Sequence, residues 1–314
     1  VPDTSPSDPL AGLRTAADPR DPRAPTLLRP HDGASPLEGR TVVVGMPYDG
    51  GIPSRPGARF GPRAIRDALA AFGTFDGERD LAPVADLGDV ALPTMNGAEA
   101  HERIERAARE VFAAGARPLF LGGDHGVTGS LLRGLAAARP GTRLALVTLD
   151  AHLDVREYGD AGSLSSGTPF RRALETGVLA GERVAMIGLR RFANSRYYLD
   201  WAREQGIHLF TVDDVAERGA ISVARDALEL AAGDADALYL SVDMDAADAA
   251  YAPGVSAAGI GGLTAREMTD LVGAIGLDSR LAGADLMETS PPYDVDSRTA
   301  KLAARLLLEL LAAR

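Results

Sequence analysis

The sequence predicts an α/β fold, a three-layer sandwich with a mostly parallel central sheet. Short aliphatic runs such as Thr41-Val42-Val43-Val44 and Leu144-Ala145-Leu146-Val147 alternate with longer stretches of helical periodicity. Runs that are apolar at nearly every position read as strands buried on both faces, which is the condition of a parallel sheet covered by helices. No Pro/Gly/Ser-rich linker divides the alternation after residue 40. One domain over 41–314 is therefore expected.

Residues 1–40 differ from the rest, being rich in proline and small polar residues. Such composition buries little apolar surface, so an extended leader draped over the domain, or a partly disordered one, is expected. His31 lies in it and is given no role. Thr41–Gly45 reads as the first strand, and a helix starts at Pro62 with proline in its first turn. A helix over 98–114 follows, with His101 expected on its solvated face. Then come strand 117–121, helix 127–138, strand 143–149, strand 183–189, helix 197–205 and the short strand 208–211, whose His208 is read as structural. Helix 222–232, strand 237–242, helix 264–275, strand 281–287 and helix 298–313 complete the chain. No internal repeat is visible.

The 314 residues carry a formal charge of −11 and no cysteine. The charge argues against nucleic acid, whose phosphates call for clustered Lys and Arg. Thiolate ligands and disulfides are absent, which is compatible with a reducing cytoplasm. No run approaches eighteen consecutive apolar residues, and the N-terminus shows no signal pattern. A soluble, cytoplasmic protein without a membrane partner is expected.

Three strand-like runs end in side chains able to hold a metal. Arg117–Leu121 leads into Gly122-Gly123-Asp124-His125-Gly126, Leu144–Leu149 into Asp150-Ala151-His152-Leu153-Asp154, and Ala237–Val242 into Asp243-Met244-Asp245. In extended chain, alternate residues share a face, so Asp150, His152 and Asp154 are expected to project together from a strand end. Taken alone, that stretch reads equally well as a solvated strand end with incidental charges; the repetition of the design decides for a site. Parallel strands lie about 4.8 Å apart, so six ligands, His125, Asp150, His152, Asp154, Asp243 and Asp245, suit two ions roughly 3.5–4 Å apart. Four carboxylates and two neutral imidazoles carry a formal charge that two divalent cations neutralise, and oxygen-dominated ligation suits manganese better than zinc. The Gly-rich segment lacks the spacing of a phosphate loop. Its glycines are read as a turn that aims His125 at the metals, with Asp124 as an orienting partner.

The segments GGDHGVT (122–128), DAHLD (150–154) and SVDMDAADAAYAPG (241–254) together resemble the signature set of the ureohydrolase superfamily, which includes arginase, agmatinase, guanidino-acid hydrolases and formimidoylglutamase. The likeness runs from about Thr41 through RPGARFGP (55–62) to the last helix. It implies an arginase-like fold, two Mn2+ ions, a homo-oligomer (trimer or hexamer), and attack of a metal-held hydroxide on an amidine carbon. It also implies that His125 and Asp154 hold one manganese, His152 and Asp245 the other, and Asp150 and Asp243 bridge them. Asp154 would help to move the proton, and Glu288, in ADLME (284–288), would pair with the cationic amidine of a small-molecule amidine or guanidine substrate.

Departures from the commoner patterns bear on substrate. Ser166 stands where arginases and agmatinases commonly carry a proton-shuttle histidine, Arg156 where arginases place asparagine, and Ala193 where an acidic residue meets the substrate's α-amino group. A serine hydroxyl is no general acid near neutral pH. Asp248-Ala249 replaces the usual Asp-Pro step, which is taken to affect loop rigidity only. DAHLDVRE, SSGTPFRR, RRFANSRYY (190–198) and APGVSA (252–257) together look most like the formimidoylglutamase branch, which yields L-glutamate and formamide in histidine degradation. Two substrate carboxylates suit guanidinium partners, expected from Arg156 with Arg190, Arg191 or Arg196. Ser166, Asn194 and Tyr197 are expected to line the same pocket. The alternatives are an agmatinase or guanidino-acid ureohydrolase releasing urea, which MPYDGGIPSRPGARFGP (46–62) favours, and a catalytically silent metal-binding homologue.

Overall fold

A computed structural model describes residues 18–158 and 164–313. In chain order the strands are β1 (Leu28–Pro30), β2 (Thr41–Gly45), β3 (Val84–Asp89), β4 (Arg117–Leu121), β5 (Leu144–Leu149), β6 (Val184–Leu189), β7 (His208–Thr211), β8 (Ala237–Asp243) and β9 (Leu281–Met287). The helices are α1 (Gly61–Ala68), α2 (Gly97–Ala113), α3 (Gly126–Ala138), α4 (Pro169–Glu175), α5 (Arg196–Glu204), α6 (Val212–Arg218), α7 (Ala220–Ala232), α8 (Ala265–Gly276) and α9 (Arg298–Ala312). The strands form one sheet in the order β1-β3-β2-β4-β9-β8-β5-β6-β7, and every pairing within it is parallel.

Alternation along the strands builds the three layers. Val43, Leu119, Leu121, Ala145 and Val147 join the apolar core that also holds Ile65, Val272 and Leu307 of α1, α8 and α9. Their neighbours Val42, Val44, Phe120, Leu144 and Leu146 turn to the opposite core, with Ile104, Leu131 and Phe170 of α2, α3 and α4. A period of two thus supplies both faces. Side-chain caps start several helices: Asn96 accepts from Glu99 N, and Thr211 with Asp214 and Thr264 with Glu267 form capping boxes.

Four readings change. Leu28–Pro30, inside the proline-rich leader, is an edge strand paired with Val84–Asp86, so part of that leader belongs to the sheet. β3, α4 and α6 were not expected. His101 is 2 % exposed, with Nδ1 2.8 Å from Ser130 Oγ, because it points between α2 and α3 rather than to solvent. Finally, β5 stops at Leu149, so 150–154 is not a continued strand. None of the helices among the described residues is long and apolar enough to cross a membrane.

Strands β4, β9, β8 and β5 are neighbours in space although β4 and β5 are consecutive in the chain. The connection from β4 to β5 skips two strands, and in open α/β sheets the carboxyl ends at such a reversal border a crevice.

Candidate metal centre and active site

His125 reaches this crevice because its approach is built of glycine. A Cβ on Gly123 would stand 1.6 Å from Tyr48 O, and one on Gly122 would stand 1.8 Å from Met287 Sδ. Close passage, rather than a left-handed turn, is therefore what the glycines provide. The ring comes to rest just before α3, with Phe170 packed edge-on at 5.1 Å between ring centroids.

Beyond β5 the chain turns instead of running straight. His152 N donates to Asp150 Oδ1 at 2.6 Å, and Asp154 takes φ 48°. Glu288, just past β9, has φ 68°. Left-handed backbone at a carboxylate costs about 1–3 kcal/mol and persists only where the surroundings enforce it. The clamp is visible: Asn194 Oδ1 accepts from Leu153 N at 2.9 Å while its Nδ2 donates to Ala151 O at 2.9 Å.

The six sequence-derived ligands converge. His125 Nδ1 lies 3.1 Å from Asp150 Oδ2, 3.0 Å from Asp154 Oδ2 and 3.1 Å from Asp243 Oδ2. His152 Nδ1 lies 3.0 Å from Asp245 Oδ2 and 3.6 Å from Asp150 Oδ1. Two groups of metal-capable atoms result, His125/Asp150/Asp154/Asp243 and Asp150/His152/Asp245, with Asp150 in both. Asp243 belongs to the first group only, so the expected bridging role is visible for Asp150 alone.

The donor set fits cations. Among the described residues, His125 Nδ1 and Asp150 Oδ2 are fully buried and have no hydrogen-bond partner, although they face each other across 3.1 Å. Lone pairs that converge without hydrogens between them are what a metal occupies. Burial pushes the Asp154 carboxyl up to about 6, and Asp150 adds to the rise. Burial likewise carries Glu288 up to about 8, with Asp124 reinforcing it, and Asp124 itself up to about 7. At His152 burial is outweighed by Asp245 and Asp150, which raise the ring to about 12. Burial beside like charge raises these carboxyls, and neighbouring carboxylates hold the His152 ring protonated; both favour added positive charge at the site.

Two cavities adjoin the cluster. One of about 190 Å3 is bordered by His152, Asp154, Arg156, Ser166, Asp243, Asp245, Ser256 and Glu288. The other, of about 310 Å3, is bordered by His152, Asp154, Arg156, Phe192, Asn194 and Tyr198. Arg156 stands between them. Ser166 borders the first, its backbone N–H held by Gly51 O at 3.0 Å.

Some expected substrate contacts lie elsewhere. Arg191 is paired with Asp213 at 2.7 Å, Arg196 lies 3.3 Å from Asp200, and both side chains are exposed. Neither they nor Tyr197 border either cavity. Arg190 instead braces the metal loops, its Nη1 donating to Asp245 O at 3.3 Å. Asn194 spends both ends of its amide on the loop backbone, although it borders the larger cavity. Sequence reasoning missed Ser256, whose Oγ donates to Glu288 Oε2 at 2.6 Å, and Tyr198, whose hydroxyl accepts from Glu157 N at 3.2 Å. Glu288 Oε1 also accepts from His125 N at 2.9 Å.

Fold and site together define a class: a parallel α/β hydrolase that works with a pair of metal ions at the carboxyl edge of its sheet. The family model for the arginase family matches residues 40–313, and the chain belongs to that family. It is thus a hydrolase for the C–N bonds of linear amidines. It is 40 % identical to a formimidoylglutamase of Halobacterium salinarum over 304 residues, 95 % of this chain and 96 % of that one. It is 38 % identical to a guanidinopropionase of Pseudomonas aeruginosa over 95 % and 94 % of the two chains. The solved formimidoylglutamase of Bacillus subtilis superposes with TM-score 0.90 at 30 % identity, covering 96 % of this chain and 94 % of the other. A Trypanosoma cruzi formiminoglutamase solved with manganese superposes with TM-score 0.83 at 28 % identity over 93 % and 97 %.

Proposed function

We propose that this protein is a binuclear manganese hydrolase that cleaves N-formimidoyl-L-glutamate to L-glutamate and formamide. One observation carries the substrate class: Arg156, a guanidinium carrier two residues from ligand Asp154, borders both cavities, and the smaller of them is also bordered by the carboxylate of Glu288. A substrate with a cationic amidine at one end and carboxylate at the other matches that polarity. Agmatine, cationic at both ends, does not.

His125, Asp150, Asp154 and Asp243 would hold one ion, and His152, Asp150 and Asp245 the other. Manganese, when bound, supplies positive charge that lowers the pKa of water to near neutrality and polarises the substrate. Glu288 takes the amidinium N–H groups; Ser256 and the His125 N–H already hold its two oxygens, so the carboxylate is fixed in direction before substrate arrives. Asp154, which borders the smaller cavity beside the ligand cluster, would accept and return a proton there. Asn194 keeps the 151–153 backbone in place, and Arg156 takes a substrate carboxylate.

The second reading is a guanidino-acid ureohydrolase, supported by the comparable identity to the guanidinopropionase. Manganese-loaded protein should release glutamate and formamide from formimidoylglutamate. Urea from 3-guanidinopropionate with no glutamate from formimidoylglutamate would decide for the rival, and turnover of neither would mark a silent homologue. The same reading takes 41–314 as one catalytic domain, and a trimer or hexamer in the cytoplasm as its working form; sedimentation velocity reads the assembly.

A further inference from the structure

His125 turns Nδ1 to the ligand carboxylates and leaves Nε2 2.9 Å from Ser241 Oγ. Ser241 Oγ lies 2.6 Å from Asp285 Oδ1, and Asp285 Oδ2 accepts from Thr128 Oγ1 at 2.9 Å and Tyr239 OH at 3.0 Å. All four partners are fully buried. The strand register explains the meeting: Ser241 of β8 pairs directly with Asp285 of β9, and Tyr239, two residues earlier, shares their face.

A buried carboxylate without a cationic partner is costly unless every lone-pair direction finds a donor. Three hydroxyls, two from β8 and one from α3, meet this one. An ionised carboxylate only accepts, and a hydroxyl has a single hydrogen to give. All three hydrogens therefore point at Asp285. Ser241 is left to face His125 with a lone pair, so the ring proton sits on Nε2 and Nδ1 presents an electron pair to the cluster.

We infer that Asp285, acting through Ser241, is a positioning residue that sets the tautomer and ring angle of His125 for metal binding, with Thr128 and Tyr239 fixing the carboxylate. The inference rests on the paired-metal reading and is independent of the substrate. His152 has no part in this relay, so the effect is confined to one of the two ions.

The test is stepwise manganese binding to the full chain, followed by the electron paramagnetic resonance of free Mn2+. Wild type should bind two ions. In Asp285→Asn the amide must turn N–H groups toward hydroxyls that now also donate, so Ser241 reverses or loses its partner. One of the two ions should weaken by about 10–100-fold while the other keeps its wild-type affinity. Ser241→Ala should reproduce the one-ion loss, and Thr128→Val and Tyr239→Phe should show smaller losses of the same kind. Loss confined to one ion separates positioning from general destabilisation, which would weaken both along with Tm. Unchanged affinities in Asp285→Asn, or equal loss of both ions, overturn the inference. Should that variant fail to fold, Ser241→Ala decides by the same criterion. A wild-type chain that binds no manganese would instead overturn the paired-metal reading, and the inference with it.

Discussion

The two ends of the same sheet treat aspartate in opposite ways. At its amino edge aspartates are paired with arginines: Asp236 meets Arg143 at 2.8 Å, Asp234 meets Arg183 at 2.8 Å, and the partly exposed Asp278 meets Arg280 at 2.6 Å. At its carboxyl edge Asp150, Asp154, Asp243 and Asp245 lie buried with imidazoles as their ion-pair partners. Water screens the first set, whose pairs add little to stability. Nothing screens the second, so its charge is tolerable only with cations present. The difference separates charges that decorate the fold from charges that define a function.

Substitution at Asp150 should break the comparison most. It serves both groups of ligands, so Asp150→Ala should lose both ions and lower kcat/KM by more than about 10^3-fold, read by elemental analysis beside turnover. Glu288→Gln should cost about 10^2–10^3-fold in kcat/KM, the scale of one preorganised electrostatic contact, while manganese content stays at the wild-type level. A parallel fall in metal content would move Glu288 into the ligand set. Arg156→Met should raise KM about 10–100-fold with kcat little changed, the worth of hydrogen bonds to a charged group, about 1.5–3 kcal/mol.

His101 offers a buried group off the metal site. Burial holds its ring down to about 3, with Arg172 and Arg133 adding to the fall. The unfolded chain takes up a proton near the ordinary value of 6.5 and the folded ring does not, so stability is present above that pH and is lost as pH falls toward 3. The slope is about 1.4 kcal/mol per pH unit. Urea melts of wild type against His101→Asn should show the variant missing that slope; parallel curves would put His101 in water after all. At the smallest end, Arg143→Ala at the amino edge should leave Tm and kcat at wild-type values, and a marked loss of either would erase the contrast between the edges.

What could be read from sequence follows the same physics. β2, β4, β5, β6, β8 and β9 are strands of five to seven residues with a strongly apolar run, and each was legible. β1 is three residues inside proline-rich chain and β3, Val84–Asp89, is only half buried; pairing with neighbours makes them strands, and no local periodicity records it. α4 and α6 are seven residues each, too short for an amphipathic repeat, although Thr211 and Asp214 carried a capping signal. The six ligands were legible because histidine and aspartate at strand ends carry their own chemistry. Ser241 and Ser256 were not, since a hydroxyl is ordinary until its partner is known. Arg191 was misplaced for a related reason: the direction of a loop arginine is set by neighbours such as Asp213, which spacing does not reveal.

The central claim is that a pair of cations completes the carboxyl edge, and counting them is the most direct test. The chain should be stripped with chelator, reloaded with manganese and freed of excess by gel filtration. The account predicts two manganese ions per chain in the wild type and none in Asp150→Ala. A wild-type chain that turns over substrate with no manganese, or an Asp150→Ala chain that keeps both ions, would contradict it.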